Sequence, residues 1–197
     1  MEIAKGIRNT EWHGLDLETP DSEDWAKAIL IFRKRISERY IEAADKLIEL
    51  EANLSAIEKK YGFVVLAIDC MLIETLQSFY EGLTDTAHKS LKMFENFLTQ
   101  TASFSKYFTS KSLAKQFYLN YRCGILHQSE TQEGALVWSF GQLLRIDGAD
   151  LTINRLSFHS ALKQEFEIYI NILKDPTKQI ERTNFKTKMD FISRKIK

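Results

Sequence analysis

Between Trp25 and Tyr61 a single apolar stripe limits what this chain can become. Apolar or small residues fall at Trp25, Ile29, Phe32, Ile36, Tyr40, Ala43, Leu47, Leu50, Leu54, Ile57 and Tyr61, in steps that alternate between four and three almost throughout. That is one face of a helix, with Arg33, Glu38, Arg39, Glu42, Lys46 and Glu49 on the others. In "TPDSED" Thr19 can cap the start, Pro20 suits the first helical position, and the acids favour the positive end of the helix. Gly62 ends it. At 1.5 Å per residue the helix would approach about 60 Å, longer than a small domain is wide. It either kinks or extends into a partner.

The next segment, "FVVLAIDCMLIETLQSFYEGL", is apolar nearly all round, the signature of a central helix packed on several sides. Asp69, Glu74 and Thr75 interrupt it. Asp69 and Glu74 either hydrogen-bond a hairpin or Arg122, or lie at a partly exposed edge. A third helix is expected over roughly residues 86–100 and a fourth over roughly 110–128. After Gly134, "ALVWSF" and "LLRIDGADLTINR" have β character, with "DGAD" placed as a hairpin turn. A last amphipathic helix runs from about Leu156 to Leu173, and "KDPTKQ" stops it. The expectation is a mainly α chain, an up-down bundle of about five helices with a small β-hairpin, about 136–154, inserted before the last helix. Residues 1–18 are an irregular lead-in, 19–175 the helical domain, and 176–197 a basic tail. From Lys174 onward eight Lys/Arg face three Asp/Glu, which makes the tail either a solvated segment or a phosphate-binding arm.

Composition narrows the function classes. With 197 residues, 44% apolar and 27% charged, the chain is an ordinary globular protein with one core. Its net charge of zero provides no global field toward nucleic acid or membrane, so such affinity must come from a local patch. "MEIAKGIRNTEWHG" lacks the apolar core of a secretory signal, and "FVVLAIDCMLI" is too short to span a bilayer. Cys70 and Cys123 stand alone, with no partner at metal-ligand spacing, and a reducing cytoplasm is the simplest setting.

The chemistry-bearing stretch is "LNYRCGILHQSET", which sets Arg122 and His127 five positions apart. Spacing alone does not carry a function, because Arg8 and His13 in "RNTEWH" share it. Context separates the two: Arg122 and His127 follow a helix with Leu113, Phe117, Tyr121 and Gly124 along one face. Five positions on a straight helix are about 140° apart. The pair therefore diverges unless the helix bends near Gly124, the arginine reaches around, or a second copy completes the site. The plainer alternative is a surface arginine paired with a carboxylate and a histidine favoured by a helix C-terminus. His127 and Glu130 could hold one edge of a metal, but no second pair completes it, so neither metal nor cofactor is expected.

Arg-x4-His at the end of a late helix, in an all-helical chain of this length, resembles the HEPN family. The resemblance covers roughly residues 22–175 as a pattern of helices, and its specific motif is "RCGILH". It implies an up-down bundle and a metal-independent endoribonuclease acting on RNA as a homodimer, with two motif helices meeting at one cleft. It also implies a cytoplasmic, prokaryotic toxin–antitoxin or antiviral-defence setting, with an antitoxin or regulatory protein as partner and no membrane role. Arg122 and His127 match the family's signature positions. Cys123 stands where active members commonly carry Asn, Asp or His, and Ser129 where some carry Tyr. Asn120, Cys123, Gln128 and Glu74 are the candidates for supporting roles. The alternative is a non-catalytic HEPN-like module that binds a nucleotide, an RNA or a protein, and Cys123 favours it.

The chemistry such a pair can perform follows from the residue types. RNA cleaves itself when its 2′-hydroxyl attacks the adjacent phosphorus, so an enzyme need only move protons and stabilise charge. A histidine titrates near neutrality and can take the 2′ proton or protonate the leaving 5′ oxygen. An arginine stays charged and can hold the phosphorane oxygens with parallel N–H donors. The products would be a 2′,3′-cyclic phosphate and a 5′-hydroxyl.

Overall fold

The computed structural model describes residues 1–55, 57–132 and 134–194 and is mainly helical with two small sheets. Of the lead-in expected to be irregular, residues 2–13 form regular elements and 14–18 do not: β1 (Glu2–Ala4) pairs antiparallel with β2 (Ile7–Arg8), and α1 (Asn9–His13) follows. The cause is Trp12, which is buried and donates its indole N–H to Asp190 at 2.7 Å.

The long stripe forms α2 (Asp24–Ile36), a π-helical turn (Ser37–Ile41) and α3 (Glu42–Leu50). It starts later than Thr19 and Pro20, with the Ser22 hydroxyl accepting from the Asp24 amide at 3.2 Å. The π turn inserts one residue and rotates the phase of everything after it. Trp25, Ile29, Phe32 and Ile36 are buried as the stripe predicts, but beyond the turn Ile41 and Ala44 are buried while Ala43 is exposed. From Asp24 to Leu50 the rod is about 40 Å long, and its buried face is spent on this chain's own core.

The rod stops at Leu50 because the chain folds back at Glu51. The Glu51 carboxylate accepts the amides of Lys60 and, at 2.6 Å, of Tyr61, and it pairs with the Arg155 guanidinium. Glu51 and Arg155 are both buried. Burial alone would raise the Glu51 carboxyl, but the two amides and the guanidinium hold it below the ordinary range. Gly62 therefore opens the next helix instead of closing the last. A Cβ at Gly62 would sit 3.3 Å from Val137 Cγ1 and 3.5 Å from Arg155 Cδ.

That helix, α4 (Gly62–Tyr80), extends the apolar run "FVVLAIDCMLI" to 19 residues, long and apolar enough to cross a membrane by length and composition alone. It is nevertheless the inner element of the fold, with Val65, Leu66, Leu72, Ile73, Leu76 and Phe79 without solvent exposure. After it come α5 (Ser90–Gln100), α6 (Lys111–Phe117), a second π turn (Tyr118–Cys123) and α7 (Gly124–Gln128). The β region is a three-stranded sheet: β3 (Leu136–Trp138) lies parallel to β5 (Asp150–Asn154), which pairs antiparallel with β4 (Leu144–Asp147). Asp147 faces Asp150 across the turn at Gly148 and Ala149.

Two helices follow the sheet, not one: α8 (Arg155–Lys174) and α9 (Gln179–Arg194). The segment expected as a basic tail is thus largely a core helix. Phe185 and Met189 are fully buried, and Phe185 packs its ring against Trp12, Phe32 and Phe79. Arg182 donates to the carbonyls of Leu173 (2.9 Å) and Pro20 (2.6 Å) with its guanidinium 4.0 Å from the Trp25 ring. Aromatic and backbone contacts, not solvent, occupy that charge. For the fold as a whole, Glu51→Ala is expected to cost about 3–5 kcal/mol, because it leaves a buried guanidinium without its partner. Urea denaturation of the purified variant measures this, and a loss under about 1 kcal/mol would contradict it.

Candidate active site

Arg122 lies in the second π turn and His127 in α7, so the five-residue step of the Arg-x4-His pair crosses from one element into the next. Arg122 Nη1 nevertheless lies 3.5 Å from His127 Nε2. The turn is anchored from within: the Tyr121 hydroxyl donates toward the Leu151 carbonyl at 2.7 Å, and Phe117 stacks on Phe158. Upstream, the Ser110 hydroxyl caps α6 by accepting from the Leu113 amide at 3.2 Å. Downstream, Ser129 adopts φ 57° and turns the chain back over Gly124. A Cβ at Gly124 would collide with the Glu130 carbonyl oxygen.

Glu74 fixes the arginine. Arg122 Nε donates to Glu74 Oε1 at 2.8 Å, the Ser90 hydroxyl donates to Glu74 Oε2 at 3.2 Å, and the guanidinium lies 5.5 Å from the Tyr118 ring. Burial works against the Arg122 charge, but Glu74 outweighs it and holds the guanidinium more firmly protonated than usual. At 3.5 Å the contact with His127 is weak. It is attractive only when Nε2 is unprotonated and accepts from the guanidinium, so the lone pair that would take a proton faces Arg122.

Arg122, Glu74 and Leu126 line a cleft of about 720 Å³ whose other walls include Arg35, Arg39 and Tyr40. His127 is exposed and is not among the lining residues, though it touches Arg122, which is. Cys123 is half-buried beside Tyr118, whose hydroxyl is pushed up by burial and then by Cys123. Gln128 is exposed at the end of α7. Asn120 is buried, does not line the cleft, and gives its carbonyl to the Gln132 amide at 3.0 Å. Arg8 and His13 lie elsewhere, on β2 and α1. The cleft residues that sequence reasoning missed are Arg35, Arg39, Tyr40 and Thr75; the four-residue step from Arg35 to Arg39 within "RKRISERY" was the available signal.

No family model, curated protein or solved structure matches this chain. The site must therefore be judged on its own geometry.

Glu74 bonds Arg122, but Asp69 bonds neither Arg122 nor the sheet. It pairs with His159: His159 Nδ1 is 2.7 Å from Asp69 Oδ1, and Nε2 is 3.3 Å from Asp45 Oδ1. Lys163 Nζ closes the cluster at 2.7 Å from Asp45 Oδ2. Burial, only partly offset by His159, pushes the Asp69 carboxyl up to about 6. Burial lowers His159, but Asp69 and then Asp45 more than reverse this, so its net shift is upward. Both groups hold protons more tightly folded than unfolded. Their contribution to stability is greatest below about pH 4, the unfolded carboxylate value. It falls as pH rises toward 6 and continues to fall as His159 loses its proton. The urea midpoint of wild type relative to Asp69→Asn is expected to decline steadily between about pH 4 and 8; a gap that widens with pH would refute the assignment.

Proposed function

We propose that the chain is a metal-independent endoribonuclease of HEPN type, working in the cytoplasm as a homodimer and serving as a toxin or antiviral-defence effector. The observation that supports it is the 3.5 Å approach of His127 to Arg122, a cleft-lining arginine that Glu74 orients. On this reading α2–α3, α4, α5, α6–α7 and α8 make up the family's up-down bundle, with the β4–β5 hairpin as the insertion. The neutral His127 imidazole takes the 2′ proton as the oxygen attacks phosphorus. Arg122, already held through Nε, presents its terminal nitrogens to the phosphorane oxygens. A second copy brings a second imidazole, so that one can act as base while the other protonates the leaving 5′ oxygen. An antitoxin or regulatory protein would act by covering this cleft.

A second function is favoured by two specific features: the carboxylate already on Arg122, and Cys123 in place of a polar neighbour. These suit a non-catalytic HEPN-like module that binds a nucleotide, an RNA or a protein. RNA cleavage in EDTA separates the two. The nuclease is expected to leave 2′,3′-cyclic phosphate ends, and His127→Ala to slow it by about 10²–10⁴-fold. Cleavage that persists unchanged in His127→Ala, or no cleavage by any preparation of the folded dimer, removes the catalytic role.

A further inference from the structure

The cleft that Arg122 lines has a second cationic locus, one that the Arg-x4-His motif does not explain. Arg35, near the end of α2, and Arg39, in the first π turn, both direct their guanidiniums at one backbone acceptor. Arg35 Nη1 is 2.5 Å and Arg39 Nη2 is 3.3 Å from the Ile3 carbonyl oxygen. Like charges four apart on a helix oppose each other, and here they converge on a neutral atom. Neither arginine has a carboxylate within ion-pair distance among the described residues. The acids in the same cleft are engaged elsewhere: Glu74 with Arg122, Glu2 with the Gly6 amide, and Asp85 with the Ala87 amide.

Each guanidinium has five N–H donors in a planar fork; the Ile3 carbonyl engages one from each, and with Arg39 exposed and Arg35 half-buried the other donors are open to the cleft and its solvent. Burial and the neighbouring Arg39 charge lower Arg35 to about 10, so it remains protonated near neutrality while carrying an electrostatic cost. An anion with several oxygens removes that cost and matches the forks. Tyr40, whose hydroxyl lies 3.3 Å from Thr75 Oγ1, and Met71 line the same cleft as both loci.

We infer that Arg35 and Arg39 form a phosphate-binding subsite that anchors an RNA backbone phosphate next to the one held at Arg122. The subsite rests on the ribonuclease reading for its ligand class, but the test does not need cleavage. The probe is a fluorescent 2′-O-methyl RNA oligonucleotide, which lacks the attacking hydroxyl; its binding is followed by anisotropy over a range of salt concentrations. The double variant Arg35→Gln, Arg39→Gln is expected to bind about tenfold or more weakly than wild type. Its plot of log K against log salt is expected to be shallower by ~0.7, the slope that one neutralised phosphate contributes on a single strand. Arg35→Lys, Arg39→Lys keeps both charges and should restore the salt slope, which a mere folding defect would not reproduce.

Equal affinity and slope in wild type and the Gln variant would overturn the subsite while leaving catalysis by Arg122 and His127 untouched. Failure of wild type to bind the oligonucleotide at low salt, or a preference for an acidic peptide, would also overturn it. If the Gln variant loses affinity and slope as expected but wild type never cuts unmodified RNA, the subsite stands and the nuclease reading falls.

Discussion

A helix that is apolar nearly all round must be covered over most of its surface, and α4 imposes that demand on the rest of this chain. α3, α5, α8 and α9 pack on it, and its buried polar side chains set where specific contacts form. Asp69 has no solvent exposure and meets His159 from α8. Glu74, five residues on, meets Arg122 and the Ser90 hydroxyl at the cleft. Gln77 donates to Glu81 at 2.6 Å. A buried polar group without a partner costs more than its hydrogen bond returns, so each of these residues selects the neighbour that can satisfy it. The position of Arg122 is a consequence of that selection as much as of its own helix.

Two π turns then decide which side chains share the cleft. Such turns sacrifice regular α-helical hydrogen bonding and are common at functional sites. In this chain both contribute to one cavity: the first carries Arg39 and Tyr40, the second Arg122. Each is held by contacts that an uninterrupted α-helix could not make in the same register. Ile41 and Ala44 are buried where the regular stripe would bury Ala43, and Tyr121 reaches the sheet while Arg122 reaches α4.

The pattern of this outcome explains what the sequence made legible. Periodicity located α2, α6 and α8, because burying one face demands that periodicity, whereas α4 was legible from being apolar nearly all round. It could not reveal a π turn, since "SERYI" and "YLNYRC" carry no residue that forces one; the inserted residue is fixed by packing from other elements. The roles of Glu51 and Gly62 were equally hidden. Glu51 reads as another surface charge of the long rod until Arg155, distant in sequence, is placed beside it. The ends of the chain failed for a related reason. Trp12 and Phe185 lie in segments too short or too polar to advertise a core, and each is buried only because the other segment is there. For the candidate site, the sequence identified Arg122, His127 and Glu74 as a set but not the distance between them, nor the arginine pair across the cleft.

The charge arrangement bears on how such a cleft would divide its work. Binding energy realised equally in ground and transition states lowers KM without raising kcat. Arg122 is already compensated by Glu74, so a ground-state phosphate gains little by displacing or sharing that partner. As charge accumulates on the equatorial oxygens of a phosphorane, the same guanidinium gains more, because Glu74 holds it in place and its terminal donors need not reorganise. Arg35 and Arg39 have no carboxylate among the described residues to compete with a phosphate and are suited to the opposite task, holding the backbone before the reaction. Three arginines in one cleft are then not redundant. On the proposed reading, the pair with no carboxylate partner among the described residues would anchor the strand, and the paired one would respond to the charge that develops. Cys123, where a polar side chain would add a further donor, would then leave that response to Arg122 and His127.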